Sequence, residues 1–257
     1  MVIEVETDAR GVMTLWLSRP DVHNAMNAEM MDAISDTVSV LRPGGDVRVL
    51  VLAGRGKSFC AGGDLGWMRA QFEAPPEARR TEAQRLSDML GVLNDTCVPV
   101  IGRIHGNAFG GGVGLACVCD TAFAVKDALM GLTETRLGLI PATIGPYVAA
   151  RLGPRTRSVF MSSRVFSARE AGEMGLVTPV DGATDLDAHV EEEVTAYLSA
   201  APGAVADAKR LARALGPDLS PPVIDAALDA LVARWESAEA AEGVSAFFEK
   251  RAPAWKL

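Results

Sequence analysis

Two runs of small residues stand out for what their backbone can do. Residues 57–64, Lys-Ser-Phe-Cys-Ala-Gly-Gly-Asp, follow a nearly continuous apolar run; residues 105–114, His-Gly-Asn-Ala-Phe-Gly-Gly-Gly-Val-Gly, open a helix directly after another strand-like run. Glycine and alanine let backbone N–H groups approach a ligand closely. A helix N-terminus adds unpaired donors and the positive end of a dipole, which suits a developing oxyanion. Each loop alone also reads as an ordinary strand-to-helix turn, or as a nest for an oxyanion or a phosphate. The first does not end in Gly-Lys-Ser/Thr, which excludes a Walker-type phosphate loop. The second follows a third or later strand, and no acidic residue ends a neighbouring strand, which argues against dinucleotide binding. Cys117 and Cys119 have no His or further Cys pair to complete a zinc site, so they read as core cysteines and no metal is expected. His105 reads as a hydrogen-bonded structural histidine and Asp120 as the cap or anchor of a strand end.

The elements that must hold these loops follow from periodicity. Residues 2–6 and 12–17 alternate around Asp8-Ala9-Arg10-Gly11, a hairpin. Met30, Met31, Ile34, Val38 and Leu41 fall at helical spacing. The apolar run 47–52 suits a strand covered on both faces, as in a parallel sheet under helices. A helix over 82–93, short strands at 100–104 and 121–125, and a capping box at Ser167 and Glu170 continue the alternation. Beyond about residue 185 the strands stop. Three helical stretches are expected there, the third carrying Ile224, Ala227, Leu228, Leu231, Val232 and Trp235.

Composition narrows the class. The 257 residues are 49% hydrophobic and 23% charged, the mix of a globular α/β chain with a sizeable core. Lys+Arg 25 against Asp+Glu 33 gives a net charge of -8, which argues against general binding to nucleic acid or anionic membranes. No apolar run approaches the roughly 20 residues that span a bilayer. The acidic start MVIEVETDAR differs from a signal peptide, and four cysteines do not make a disulfide scaffold, so a cytoplasmic protein is expected.

Taken together, Phe59-Cys60-Ala61-Gly62-Gly63-Asp64 and Gly106-Asn107-Ala108-Phe109-Gly110-Gly111-Gly112, with Cys119-Asp120 beyond, resemble the crotonase (enoyl-CoA hydratase/isomerase) superfamily. The likeness continues through residues 133–141, Thr-Glu-Thr-Arg-Leu-Gly-Leu-Ile-Pro. It resumes at 166–171, at Gly175-Leu176-Val177 and at 246–251. It runs in order along essentially the whole chain.

The resemblance implies an α/β fold, a spiral of ββα units over 1–184, with a helical region over 185–257 for trimerisation and active-site closure. It implies an acyl-CoA substrate, so no separate cofactor, and a homo-oligomer of three or six chains. Ala61 and Gly111 match the positions whose N–H groups hold the thioester oxygen, and Glu134 matches a catalytic glutamate. Ala25, Ala61, Gly62, Gly63 and Asp64 are expected to line the thioester and pantetheine end, with Gly111 and Gly114 beside them. Phe247 and Lys250 match a segment near the nucleotide end, commonly supplied by a neighbouring subunit. Arg136 follows Glu134 closely and is read either as an influence on it or as a solvated side chain. Gly114 departs from ordinary hydratases, which carry a second glutamate there. The stretches 109–117 and 141–147 resemble hydratases of the methylglutaconyl and isohexenylglutaconyl type, implying hydration of a branched, carboxylated enoyl-CoA in leucine or acyclic terpenoid breakdown. The alternatives are an isomerase moving a double bond from position 3 to 2 with Glu134 alone, and an inactive acyl-CoA-binding scaffold. If Gly114 makes room for a bulky acid, Gly114→Glu should lower use of a glutaconyl-type substrate and raise trace activity on crotonyl-CoA.

Overall fold

The N-terminal alternation forms the expected hairpin. In the computed structural model, which describes residues 1–256, β1 (Ile3–Thr7) pairs antiparallel with β2 (Val12–Leu17), Ile3 opposite Leu17. β2 runs parallel to β3 (Val49–Gly54), buried along its whole length, as a strand with cover on both faces must be. The remaining strands are β4 (Val100–Ile104), β5 (Ala108–Phe109), β6 (Thr121–Val125), β7 (Leu129–Gly131), β8 (Phe166–Ser167) and β9 (Thr178–Val180). The main sheet has the order β1-β2-β3-β4-β6-β9, parallel from β2 onward, and β5-β7-β8 form a small second sheet. Each strand of the parallel part thus steps outward to the next, the spiral the resemblance implies.

The helices are α1 (Ala28–Ser39), α2 (Leu65–Glu73), α3 (Pro76–Asp95), α4 (Gly111–Val118), α5 (Gly145–Leu152), α6 (Thr156–Ser162), α7 (Ala168–Glu173), α8 (Ala183–Ser199), α9 (Pro202–Ala214), α10 (Pro221–Trp235) and α11 (Ala238–Phe248). Asn27 caps α1 by accepting from the Met30 N–H, and Ser167 with Glu170 forms the expected capping box on α7. α3 begins six residues before the periodicity suggests, with Pro76 at its first position, where a missing N–H costs nothing.

One face of the sheet packs Leu15, Leu17, Leu50 and Leu52 against Met30, Ile34, Met89, Leu90 and Leu93 of α1 and α3. The other face corrects the expected division at 184/185. Val12, Val49, Val51, Ile101 and Phe123 are covered by Leu186, Val190 and Val194 of α8, and Arg103 pairs with Asp187 at 2.6 Å. α8 therefore belongs to the core of the same protomer. Among the described residues the tail holds four helices, not three, because the chain turns at Glu236 and Ser237 caps α11. Leu228 is fully buried inside the protomer on α10, which packs on α3, so it is not an intersubunit residue. Among the described residues no helix is long and apolar enough to cross a membrane.

Candidate active site

The first glycine loop is fixed by a segment 35 residues before it. Asn24 is fully buried with φ +55°, a conformation asparagine tolerates better than most residues. Its Nδ2 donates to the carbonyls of Arg55, Ser58 and Phe59 at 2.8, 2.8 and 3.2 Å, and its Oδ1 accepts from Arg19 N–H. The His23 carbonyl then accepts the Ala61 N–H at 3.0 Å. Met26 N–H donates to Gly62 O at 2.7 Å, and Asp64 N–H donates to Met26 O at 2.9 Å, a parallel bridge between Met26 and Gly63. Ala25 is buried within this clamp, its carbonyl accepting from Arg19.

These bonds correct one assignment. The Ala61 N–H is already committed to His23, so it has no hydrogen left for a thioester oxygen. The Gly63 N–H has no partner among the described residues, and the bridge turns it away from Met26. Gly63 is the free donor of this loop. Asp64 is corrected too. Its carboxylate caps α2 through Gly66 and Trp67 N–H at 2.8 and 3.1 Å and pairs with Arg19 at 3.0 Å. Burial would raise its pKa, but the Trp67 N–H and the Arg19 guanidinium outweigh it and hold it below the usual carboxylate range. It anchors the loop and is spent as a ligand group.

The second loop carries the other donor. Gly110, at φ +49°, gives its N–H to Gly131 O at 2.9 Å, while Val113 and Gly114 N–H close onto Gly110 O. Gly111 and Gly112, at the first turn of α4, keep free N–H groups among the described residues. Side chains are excluded here by contact: a Cβ on Gly112 would stand 2.5 Å from Cys60 O. The two loops are joined through Asn107, whose carbonyl accepts from Phe59 and Cys60 N–H, and through Phe109 N–H on Cys60 O at 2.9 Å.

Glu134 begins a 3-10 turn, Glu134–Leu137, separated from the end of β7 by Leu132 and Thr133. A Cβ placed on Gly110 would stand 3.1 Å from its Oε1, so the carboxylate lies against the residue that precedes the Gly111 donor. Its Oε2 is buried with no hydrogen-bond partner. Desolvation pushes its pKa up to about 7. The turn is gripped from the C-terminal helices. Gly138, at φ +69°, packs on Glu239 of α11, its carbonyl accepts from Arg234 Nε at 2.7 Å, and Gly243 packs on Leu137.

Gly63 on the first loop and Gly111 and Gly112 on the second thus keep free N–H groups, and the raised, unpartnered carboxyl of Glu134 lies against Gly110. A family model described as Enoyl-CoA hydratase/isomerase matches residues 7–257. The chain belongs to the enoyl-CoA hydratase/isomerase family. It is 32% identical over 246 residues to the crotonyl-CoA hydratase of Syntrophomonas wolfei, covering 92% of this chain and 91% of the relative. It is 30% identical over 254 residues to the 1,2-epoxyphenylacetyl-CoA isomerase of Escherichia coli, with coverages of 95% and 94%. The solved structure of Pseudomonas aeruginosa AtuE matches with a TM-score of 0.82 and 34% identity over 100% of both chains. As an enzyme of this family the chain carries enoyl-CoA hydratase/isomerase chemistry on an acyl-CoA.

Other residues of this hydratase/isomerase chain fall into place around that centre. Gly114 does not face open room. A Cβ there would stand 2.7 Å from Ile144 Cγ2 and 3.5 Å from Leu90 Cδ1, so hydrocarbon closes the place of the second glutamate. Gly114 therefore leaves no room for a side chain pointing toward the acyl chain. Trp67 packs over Gly63, within 3.3 Å of where a Cβ would be, and its indole N–H is tied to Glu82 at 2.8 Å. Phe247 and Lys250 are exposed at the end of α11 and make none of the contacts that join the loops to Glu134. Arg136 is exposed to solvent. Asp120 anchors β4, as its type and place suggest, accepting from Val100 N–H and Lys209 Nζ at 2.8 and 2.7 Å. His105 Nε2 is bonded to Gly56 O at 2.9 Å. Burial pushes the Cys117 and Cys119 thiols up to about 12, which leaves them without thiolate character near neutral pH.

Asn24, Met26, Trp67, Ile144 and Arg234 carry no motif of their own. The partners of Asn24, Met26, Ile144 and Arg234 lie about 30 to 100 residues away, and those of Trp67, Gly63 and Glu82, lie nearer but on different elements, which no local pattern reveals.

Proposed function

We propose that the chain hydrates an enoyl-CoA with Glu134 as its single acid/base and the Gly63 and Gly111 N–H groups as the oxyanion donors. The observation that carries this is the carboxyl of Glu134, with Oε2 buried and unpartnered and Oε1 against Gly110, one residue before a free donor. With the pKa near 7, a substantial fraction is ionised at neutral pH and ready to take a proton from water. As the water oxygen bonds to the β carbon, the double-bond electrons move to the thioester oxygen, where two fixed N–H groups stabilise the enolate. The carboxylic acid so formed returns its proton to the α carbon, which restores the thioester and the starting carboxylate. The net change is one water added.

The finer reading is a branched, carboxylated acyl chain of the glutaconyl type. What supports it is the likeness of residues 109–117 and 141–147 to hydratases of such substrates; Ile144, which closes over Gly114, belongs to the second stretch. A second reading is favoured by that same closure. With hydrocarbon at 114, one carboxylate serves the centre, and one suffices for an isomerase that removes a proton at one carbon and returns it at another. Purified enzyme with crotonyl-CoA, 3-methylglutaconyl-CoA and a 3-enoyl-CoA, followed by absorbance and mass, separates them. Water gain, fastest on the glutaconyl thioester, is expected; an isobaric product alone sinks the hydratase reading.

The assembly belongs to the same proposal. Leu211 and Leu215 on and after α9 are 59% and 79% exposed, and Trp255 is 41% exposed. Large apolar side chains left in water at the end of α9 and in the C-terminal segment suit burial against further copies. Light scattering on the intact protein should give a multiple of three subunits, and a monomer across micromolar concentrations would defeat this.

A further inference from the structure

Met26 touches both glycine loops at once. Its backbone makes the parallel bridge that fixes Gly63, through Gly62 O at 2.7 Å and Asp64 N–H at 2.9 Å. Its side chain runs to the other loop: its Cε lies 2.2 Å from where a Cβ on Gly111 would stand, and its Sδ 3.9 Å. The methyl group therefore rests on the Gly111 Cα. The residue is 1% exposed and held from behind by the Asn24 network, so it has little freedom to shift.

Donors in an oxyanion hole act only at about 2.7–3.1 Å from the position of the charged oxygen. Two N–H groups on different loops must then keep a separation of that order. Gly110, Gly111 and Gly112 have no side chains to brace the start of α4 from within. The bracing comes from outside: Glu134 lies against Gly110, Cys60 against Gly112, and Met26 against Gly111, the donor itself. We propose that Met26 is a positioning residue that sets the spacing of the Gly63 and Gly111 donors, its backbone placing one and its thioether chain the other. It acts through those two glycines. The proposal rests on their reading as the oxyanion donors, whatever the acyl group and whether water is added.

The test uses the full chain and butyryl-CoA labelled with 13C at the thioester carbonyl, a saturated ligand that can be neither hydrated nor isomerised. In the wild type the bound carbonyl stretch should fall below that of the free ligand, because donors polarise the C=O. Met26→Ala should lose most of that fall at saturating ligand and lower kcat on the best substrate by about 30-fold, less than the roughly 10²–10³-fold that removing a donor outright costs. KM should change by less than about threefold, since the donors act most strongly on the charged state. Met26→Leu, which fills most of the same volume, should keep the infrared shift and most of kcat. A buried truncation also lowers stability, but a role in stability alone would leave the infrared shift of the folded enzyme intact.

If the wild type shows no fall in the carbonyl stretch, the reading of Gly63 and Gly111 as donors fails. If the wild type shows it and Met26→Ala shows it equally, those donors stand and the role of Met26 is overturned. Should Met26→Ala not fold, Gly111→Ala and the Gly111→Ala/Met26→Ala pair decide. The new methyl and the lost one occupy the same place, so the double variant should be at least about tenfold more active than Gly111→Ala alone. Losses that simply multiply would overturn the proposal.

Discussion

Glu134→Gln should lower kcat by about 100-fold or more while leaving the fold intact and the acyl-CoA bound. The amide keeps the shape of the side chain and cannot take or return a proton, and a positioned acid/base is worth roughly 10²–10⁴ in rate. Retention of more than about a tenth of kcat, a loss under about 1.4 kcal/mol in the barrier, would remove Glu134 from the mechanism. The pH dependence gives a second, independent reading. The folded carboxyl titrates near 7, raised by desolvation from its ordinary 4.5. The base must be ionised, so wild-type kcat/KM should rise through about pH 7. Stability moves the other way. Between 4.5 and 7 the folded state holds a proton that the unfolded state has released, so this group's contribution to stability falls as pH rises through that window. The full penalty above the folded pKa is on the order of 3 kcal/mol. Glu134→Gln should therefore unfold at higher urea than wild type at pH 8 and lose that advantage at pH 4. An advantage that is the same at both pH values would mean that the carboxyl is not desolvated in the folded protein.

The parts of this site that were legible in the sequence are those whose chemistry is local. The glycine loops announce themselves because only small residues fit, as the contacts of Gly112 with Cys60 bear out. Ser167 and Glu170 cap α7 across three residues, and Asp120 anchors the adjoining strand. Glu134 is silent by itself; its environment comes from Gly110 and from α11, more than 100 residues further on. By residue size alone Ala61 and Gly63 are both candidates for the donor of this loop. What decides between them is His23 O, 38 residues upstream, which takes one of the two. The tail misleads for a similar reason. The apolar periodicity of α10 shows that a face is buried but not against what, and Leu228 turns out to bury within its own chain. The helical pattern of α8 likewise gives no sign that it covers the second face of the sheet.

Gly114→Glu should abolish most activity on every enoyl-CoA and destabilise the protein. From the sequence alone, restoring the missing glutamate trades one substrate for another. The structure changes that outcome, because the place is filled. Ile144 Cγ2 stands 2.7 Å from the new Cβ before any carboxylate is added, and Leu90 lies behind it. Every residue of α4 is buried, so the charge would enter among hydrocarbon, against Ile144 and Leu90. Overpacking and an unpaired buried charge each cost on the order of 1–3 kcal/mol or more. Residue 114 is also one turn beyond Gly110 on the same face of α4, and Glu134 lies against Gly110. A second carboxylate on that face would raise the pKa of one of the pair further and slow proton removal at neutral pH. Gly114→Glu/Ile144→Ala removes the methyl groups in the way. It should recover stability over the single variant and raise kcat/KM on crotonyl-CoA at least about tenfold above it. Thermal unfolding and that specificity constant, measured on wild type and both variants, test the point. If Gly114→Glu alone is as stable as wild type and gains activity, Ile144 is a movable neighbour, and Gly114 is a plain loss of one catalytic group.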